Sequence, residues 1–456
     1  MTTTNGESAP ASKRITQKIL AWKYSDYCFF FLAIAIFHVL IEGGTGDDVY
    51  FGGVLDGSNG LLGLPSWLAH RWNDWSSRLL IETALAIVAS LPLFVWKILD
   101  SLIWLLSYHA LVRLLGFESR TLGKWLLVAL LLQYPFLDMS TAGWVATTVN
   151  YIWPLSLGLY SLSIAKNLCT GIKVCIPSIV AAFLACAYAA NLEQMCAILF
   201  VSFLIMLPKA IRDGRRKVIF PIALFLALAT CELLFELLCP GNSVRFASEV
   251  ATWFPEYETR NIIEKLDLGF VHLMNAILSQ LNLAVLLLLA ILAGSSLKRR
   301  RGWAIGIISV LPIFIYLGRT VLVQIFPILN KLFGELIEFG AADGLSAGNL
   351  VRTLIAIIMV VAIAASCFLS MKERRDGAVA LIALGAGFAS ALIIGFSPTV
   401  YASGSRTLIF FYYAVFFTCA FVASRNPRHE KSGSLPLALF ALSLLAVANT
   451  AYSIMA

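Results

Sequence analysis

From residue 25 to its end, the chain reads as long apolar runs separated by short polar breaks. The runs lie near 25–42, 92–112, 122–137, 152–168, 174–190, 194–208, 218–238, 270–294, 303–327, 350–370, 377–395, 407–424 and 434–454. A helix needs about 20 apolar residues to cross the hydrocarbon layer. Lipid offers backbone groups no hydrogen bonds, and no barrel-type alternation is present, so each run is read as a helix. The pattern predicts an all-α polytopic membrane protein with about 13 transmembrane helices. Residues 1–24 form a tail, and 25–454 a single transmembrane domain. The run at Tyr27–Ile41 leads into Gly-Gly-Thr-Gly, with no small-residue cleavage site, so it reads as a retained first helix.

Two segments between spans carry helical patterns of their own. Residues 43–91 hold Trp67, Trp72 and Trp75, then an apolar stretch from Arg78 that stops before Pro92. A full-length span follows directly, so this stretch is expected to lie along the interface, a depth that suits tryptophan. Residues 240–268, with Trp253, Pro255 and a mixed set of charges, read the same way. These are the first and fourth loops on one face. The hairpin 174–208 has arms of only about 16 residues, short for a layer of about 30 Å. Its turn, with Asn191, Glu193 and Gln194, is therefore expected below the membrane surface, and polar groups at that depth imply a cavity.

Composition agrees with this class. Of 456 residues, 59% are hydrophobic and 13% charged, against roughly 45–50% and about 25% in soluble domains. A soluble enzyme, a disordered chain and a nucleic-acid reader are excluded. The net charge of +8 gathers in every second break, at clusters such as Lys209, Arg212, Arg215, Arg216, Lys217 and Lys298, Arg299, Arg300, Arg301. The positive-inside rule places those breaks and the N-terminus in the cytoplasm. Most acidic residues, and the polar chemistry, then face outward. The nine cysteines are scattered through apolar runs and suggest neither a disulfide framework nor a zinc site.

Candidate chemistry follows from what remains on the outer face. Glu42-Gly-Gly-Thr-Gly-Asp-Asp-Val-Tyr-Phe places Asp47 and Asp48 just after the first span. A carboxylate at that boundary can take a proton from a hydroxyl; the alternative is a helix-capping pair. Arg78, after Trp72-Asn-Asp-Trp-Ser-Ser, is either an interfacial cation or an anion ligand, with His70 and Arg71 nearby. Gly143-Trp-Val-Ala-Thr-Thr-Val-Asn-Tyr-Ile-Trp-Pro, read as the turn into the fourth span, offers Asn150 to a sugar hydroxyl and Tyr151 or Trp153 to a sugar face. Glu193 and Gln194 occupy the sunken turn. Pro240-Gly-Asn-Ser-Val-Arg and Ser397-Pro-Thr-Val-Tyr-Ala-Ser-Gly-Ser-Arg deliver Arg245 and Arg406, a pair suited to an anion. Arg319 and Arg352 are further cations, and Lys97 and Asp100 are spaced to neutralise one another.

Taken in order, the motifs GDDVYF, NYIWP, NLEQ, PGNSVR and SPTVYASGSR resemble the GT-C superfamily of integral membrane glycosyltransferases. The nearest likeness is to bacterial polytopic proteins close to the surface-polysaccharide glucosyltransferases. The likeness covers roughly residues 40–410; the large C-terminal outer domain of several GT-C families has no counterpart. It implies a GT-C-like fold with 43–91 as a catalytic first outer loop, and Asp47 or Asp48 as general base. It further implies inverting transfer from a polyprenyl-phosphate-linked sugar to a glycan or glycolipid acceptor. Arg78, Arg245 and Arg406 would hold the donor phosphate. Glu193, Gln194, Asn150, Tyr151, Trp153 and His70 would hold sugar or acceptor. A divalent cation is left open as a cofactor. Partners would be these substrates and membrane lipids, with no nucleic acid. The expected location is a bacterial cytoplasmic membrane with the site extracytoplasmic. Competing readings are a lipid-linked glycan flippase or transporter, a polysaccharide polymerase or ligase, and an assembly protein without chemistry.

Overall fold

A computed structural model describes residues 23–56, 60–299, 302–425 and 435–456. Most of the expected tail 1–24 lies outside them, as do Arg300, Arg301, Arg428 and Lys431 of the basic clusters. The described residues are almost wholly helical and contain no strand. Helix α1 is Ser25–Leu40, followed by a loop that carries α2 (Asp47–Gly52), α3 (Gly60–Asp74) and α4 (Leu79–Ser90). Then come α5 (Leu93–Leu115), α6 (Thr121–Leu131), α7 (Trp144–Thr170), α8 (Ile176–Ala190), α9 (Glu193–Arg212) and α10 (Arg216–Leu238). The chain continues through α11 (Gly241–Trp253), α12 (Ile262–Ser279) and α13 (Leu283–Arg299). Helices α14 (Trp303–Ile325), α15 (Ala347–Leu369), α16 (Arg374–Leu392), α17 (Ile409–Ser424) and α18 (Leu435–Met455) complete it.

Among the described residues, eight helices are long and apolar enough to cross a membrane, or nine if the bent pair α12–α13 counts as one. The chain is a multi-pass membrane protein. Several expected spans take other forms. Run 122–137 yields only the 11 residues of α6 before the chain turns, about 17 Å at 1.5 Å per residue. Helices α1 and α8 have 16 and 15 residues. Run 152–168 belongs to a longer helix: α7 begins at Trp144 and has 27 residues, roughly 40 Å. Asn150, Tyr151 and Trp153 therefore stand on a helix, not in a turn. The interfacial readings of 78–91 and 240–268 meet helices α4 and α11, while α3 had no predicted counterpart.

Run 270–294 is two helices, α12 and α13, inclined by 95°. The break has a local cause. Gln280 is extended (φ −136°, ψ 151°). The Asn282 side chain then accepts from the amides of Ala284 and Val285, at 2.9 and 3.3 Å, which starts α13. Its Nδ2 donates to the Gln133 carbonyl at 2.9 Å, and its own amide donates to the Tyr316 hydroxyl at 2.8 Å. The opened backbone is thus satisfied from neighbouring elements, as a bilayer requires.

Helix α7 packs against α4, α5, α8 and α9 and forms the spine of the first half. Its register with α1 and α5 is set by a buried polar cluster. Asp100 and His38 are 0% and 1% exposed and meet at 2.8 Å. Asp100 also accepts from the indole N–H groups of Trp153 at 2.7 Å and Trp104 at 3.1 Å. On the far side of the ring, His38 Nδ1 lies 2.9 Å from both the Ile34 carbonyl and Ser101 Oγ. The expected Lys97–Asp100 neutralisation does not occur. Lys97 turns to the Ile41 carbonyl at 2.7 Å and so caps the end of α1.

Candidate functional site

The loop after α1 crosses the start of α7 at close range. Gly46 has φ +55° and Gly143 φ +106°. A Cβ on Gly143 would lie 2.4 Å from the Thr45 carbonyl and 2.5 Å from Asp48 Oδ1. Only glycine permits that approach. The Asp47 amide donates to the Ala142 carbonyl at 2.8 Å, and Asp48 Oδ1 accepts from the Ala146 amide at 2.7 Å. Asp48 is therefore buried against the first turn of α7, where free amides and the helix dipole favour an anion. Burial raises its carboxyl above the ordinary range, and the amides of Ala146, Val145, Thr45 and Trp144 partly oppose this. Asp48 Oδ1 thus caps the start of α7, while its Oδ2 is buried with no hydrogen-bond partner among the described residues. Asp47 faces the other way, into a cavity of about 410 Å³.

Four arginines reach that cavity from three parts of the chain. Arg71 closes α3 and grips Glu82 of α4 through Nε and Nη2, both at 2.7 Å. Arg78, at the start of α4, holds Glu193 at the start of α9 through Nε (3.0 and 3.1 Å) and Nη2 (2.7 Å). Asn191 in the turn between α8 and α9 accepts from the Leu80 and Ile81 amides at 2.9 and 3.2 Å and so caps α4. Arg245 on α11 bonds Glu249 one turn on, at 2.6 Å. A Cβ on Gly241 would sit 2.4 Å from the Trp75 amide, so glycine lets α11 close on the end of α3. The Trp75 ring then has Arg71 at 5.6 Å and Arg245 at 5.8 Å, within cation–π range. Arg406 comes from the turn before α17. Among the described residues it has no carboxylate within ion-pair distance, and its Nη1 donates to Thr141 Oγ1 at 3.1 Å. The preceding Ser405 donates to Asp138 Oδ1 at 2.5 Å. Burial pushes the Asp138 carboxyl up to about 6, although that hydrogen bond lowers it.

Three of the guanidinium groups are thus tied along one edge, and among the described residues the Nη1 atoms of Arg71 and Arg78 and both Nη atoms of Arg245 have no acceptor. Arginine presents five donors in a fixed fork, so an anchored edge still leaves a phosphate-binding edge. Beside them the cavity shows Asp47, Tyr50, Asn150 and Tyr151. Asn150 Nδ2 is engaged with the Ala146 carbonyl at 2.8 Å, and its Oδ1 remains an acceptor.

Of the residues expected at the site, Asp47, Arg78, Arg245, Arg406, Asn150 and Tyr151 line the cavity together. Glu193 stands behind Arg78 and orients it. Gln194 does not reach the cavity; its Nε2 donates to the Ser390 carbonyl and hydroxyl at 3.0 and 3.1 Å and ties α9 to α16. Trp153 is committed to Asp100. His70 is largely exposed and pairs with Asp74 at 2.6 Å. Arg319 meets Glu335 at 3.6 Å, away from the cavity. Glu82 and Tyr50 were not singled out by the sequence, and Trp75 was read only as an interfacial ring. The signal for Glu82 was a lone carboxylate in an otherwise apolar interfacial helix, which needs a cation.

Among the described residues no group of three or more His, Cys, Asp or Glu side chains could hold a metal ion. In the cavity the carboxylate without a cation is Asp47, which makes no protein-built cage, so no step is derived through a divalent ion. The cavity lies at the N-terminal ends of α7 and α17, whose other ends carry Lys166 and Arg425. Comparison with family models, with curated proteins and with solved structures finds no match.

Proposed function

We propose that this chain is a GT-C-like membrane glycosyltransferase that uses a polyprenyl-phosphate-linked sugar. The observation that carries the reading is the meeting of Asp47 with Arg71, Arg78, Arg245 and Arg406 in one cavity. Asp47 takes the proton of an acceptor hydroxyl. That oxygen attacks the anomeric carbon from the face opposite the phosphate, and the bond from carbon to phosphate oxygen breaks with its electron pair. The phosphate leaves with added negative charge, which the free guanidinium edges receive. Inversion follows from single displacement. Asn150 and Tyr151 are placed to hold sugar hydroxyls, and the acceptor is a glycan or glycolipid.

The same reading sets the membrane frame. By the positive-inside rule the basic ends face the cytoplasm, so the cavity faces out of a bacterial cytoplasmic membrane. The 13 passes proposed from the sequence need α1, α6 and α8 to cross in part, with loop or 3₁₀ segments finishing the distance. Four guanidinium groups also suit a diphosphate-linked donor, as a polymerase or ligase would use. The deciding experiment supplies purified protein with a panel of polyprenyl-phosphate and polyprenyl-diphosphate sugars and follows release of free lipid phosphate. Release from the monophosphate series, lost in Asp47→Asn, supports the proposal. Wild-type turnover by Asp47→Asn overturns it. Release from diphosphates alone assigns the polymerase or ligase reading, and movement of intact donor without release assigns a transporter.

A further inference from the structure

A second cavity, of about 660 Å³, opens at the basic end of the bundle, between α6, α13, α17 and α18. Its volume is in the range of sites that enclose small ligands. Its walls are apolar, with Leu126, Ile291 and Leu439 among them, and among the described residues every charged group lining it is a cation: Arg120, Lys298 and Arg299. Arg120 and Lys298 are exposed and form no ion pair among the described residues, while Arg299 donates to the Arg425 carbonyl at 3.2 Å. A Cβ on Gly294 of α13 would meet nothing within 4 Å, so the groove is open along that helix. An apolar slot between spanning helices with a cationic rim matches a lipid whose headgroup is anionic. A zwitterionic lipid would leave the cations without net compensation, and a soluble anion would leave the slot empty.

We propose that this groove binds an anionic phospholipid, with an acyl chain along Gly294 and the phosphate held by Arg120 and Lys298. The site is separate from the Asp47 cavity and does not depend on sugar transfer. The test reconstitutes the full chain in bilayers of equal phosphatidylglycerol and phosphatidylcholine, extracts it into mild detergent and counts retained lipid by native mass spectrometry. Two uncommitted cations should favour phosphatidylglycerol by roughly thirtyfold. Arg120→Gln with Lys298→Gln should bring that preference to within about threefold. Arg216→Gln with Lys217→Gln, exposed at the same end but outside the groove, should leave it unchanged. Gly294→Trp, which keeps both cations and fills the slot, should lose retained lipid of either kind. Equal retention of the two lipids by the wild type overturns the proposal. So does an equal loss in the Arg216/Lys217 variant, or displacement of phosphatidylglycerol by inorganic phosphate at matched ionic strength.

Discussion

The Asp100 cluster and the Asp47 cavity are both built from acids, bases and aromatic rings, yet they are finished differently. Around Asp100 the carboxylate has three partners, and each partner is a donor from a different turn or helix: His38, Trp104 and Trp153. The histidine in turn is closed off by Ile34 and Ser101. The cluster has almost no contact with water, and its capacity is consumed within the protein. Around Asp47, carboxylates hold only one edge of the Arg71, Arg78 and Arg245 guanidinium groups, and among the described residues neither Arg406 nor Asp47 has an ion-pair partner. Buried polar groups are normally satisfied, as at Asp100; Asp47 is exposed, and its free carboxylate and the guanidinium donors beside it are available to a ligand. An intramembrane charge alone is a weaker guide, because both regions have it.

Substitutions can break this contrast. The largest effect is expected for Asp47→Asn: transfer should fall by about 100- to 10,000-fold, the range for a lost general base, with no fall in melting temperature. Turnover and a thermal melt on the same sample check both halves. Asp100→Leu should do the reverse. It strands three buried donors, at about 1–3 kcal/mol each in water-soluble proteins and less between membrane helices. A loss of roughly 3 kcal/mol in a reversible unfolding assay is expected, with inactivity only where the fold is lost. Arg406→Gln should lower transfer by roughly 10- to 100-fold with a rise in donor KM, as one of four cations is removed. If it unfolds the protein instead, Arg406 belongs with the satisfied class.

A smaller effect concerns pH. The Asp138 carboxyl lies at about 6 in the fold against an ordinary 3.8. The native state therefore keeps this proton to higher pH than the unfolded chain does, and stability falls as pH rises through that interval. Asp138→Asn should flatten the fall, measured as melting temperature from pH 4 to 7; other carboxyls shifted the same way, Asp48 and Glu338 among them, carry the residual slope. An unchanged slope would show that Asp138 does not carry it. The smallest effect is expected for His70→Ala, within about 0.5 kcal/mol and twofold in rate, because the side chain is exposed.

Much of the site was legible because its residues are polar where apolar ones belong. Asp47, Arg78, Arg245 and Arg406 each interrupt a membrane-boundary pattern, and all four reach one cavity. Partner choice was not legible. Arg78 and Glu193 are 115 positions apart, and no local spacing foretells that they pair. The Lys97–Asp100 reading failed for the same reason: spacing of three allowed a pair, but packing gave Asp100 to α1 and α7. Long apolar runs gave helices reliably, but their lengths were misjudged where a single polar residue could cap a new start. Asn282 inside 270–294 is such a residue, and nothing in hydropathy weighs it.

The Asp47–Asp48 dipeptide divides its labour across a single peptide bond. One member fastens the loop to the front turn of α7 while its neighbour faces the cavity, so under the proposed function the acid is tied to the longest helix among the described residues. Under the proposed function, a tilt of α7 moves Asp47 together with Asn150 and Tyr151, the cavity residues this helix carries.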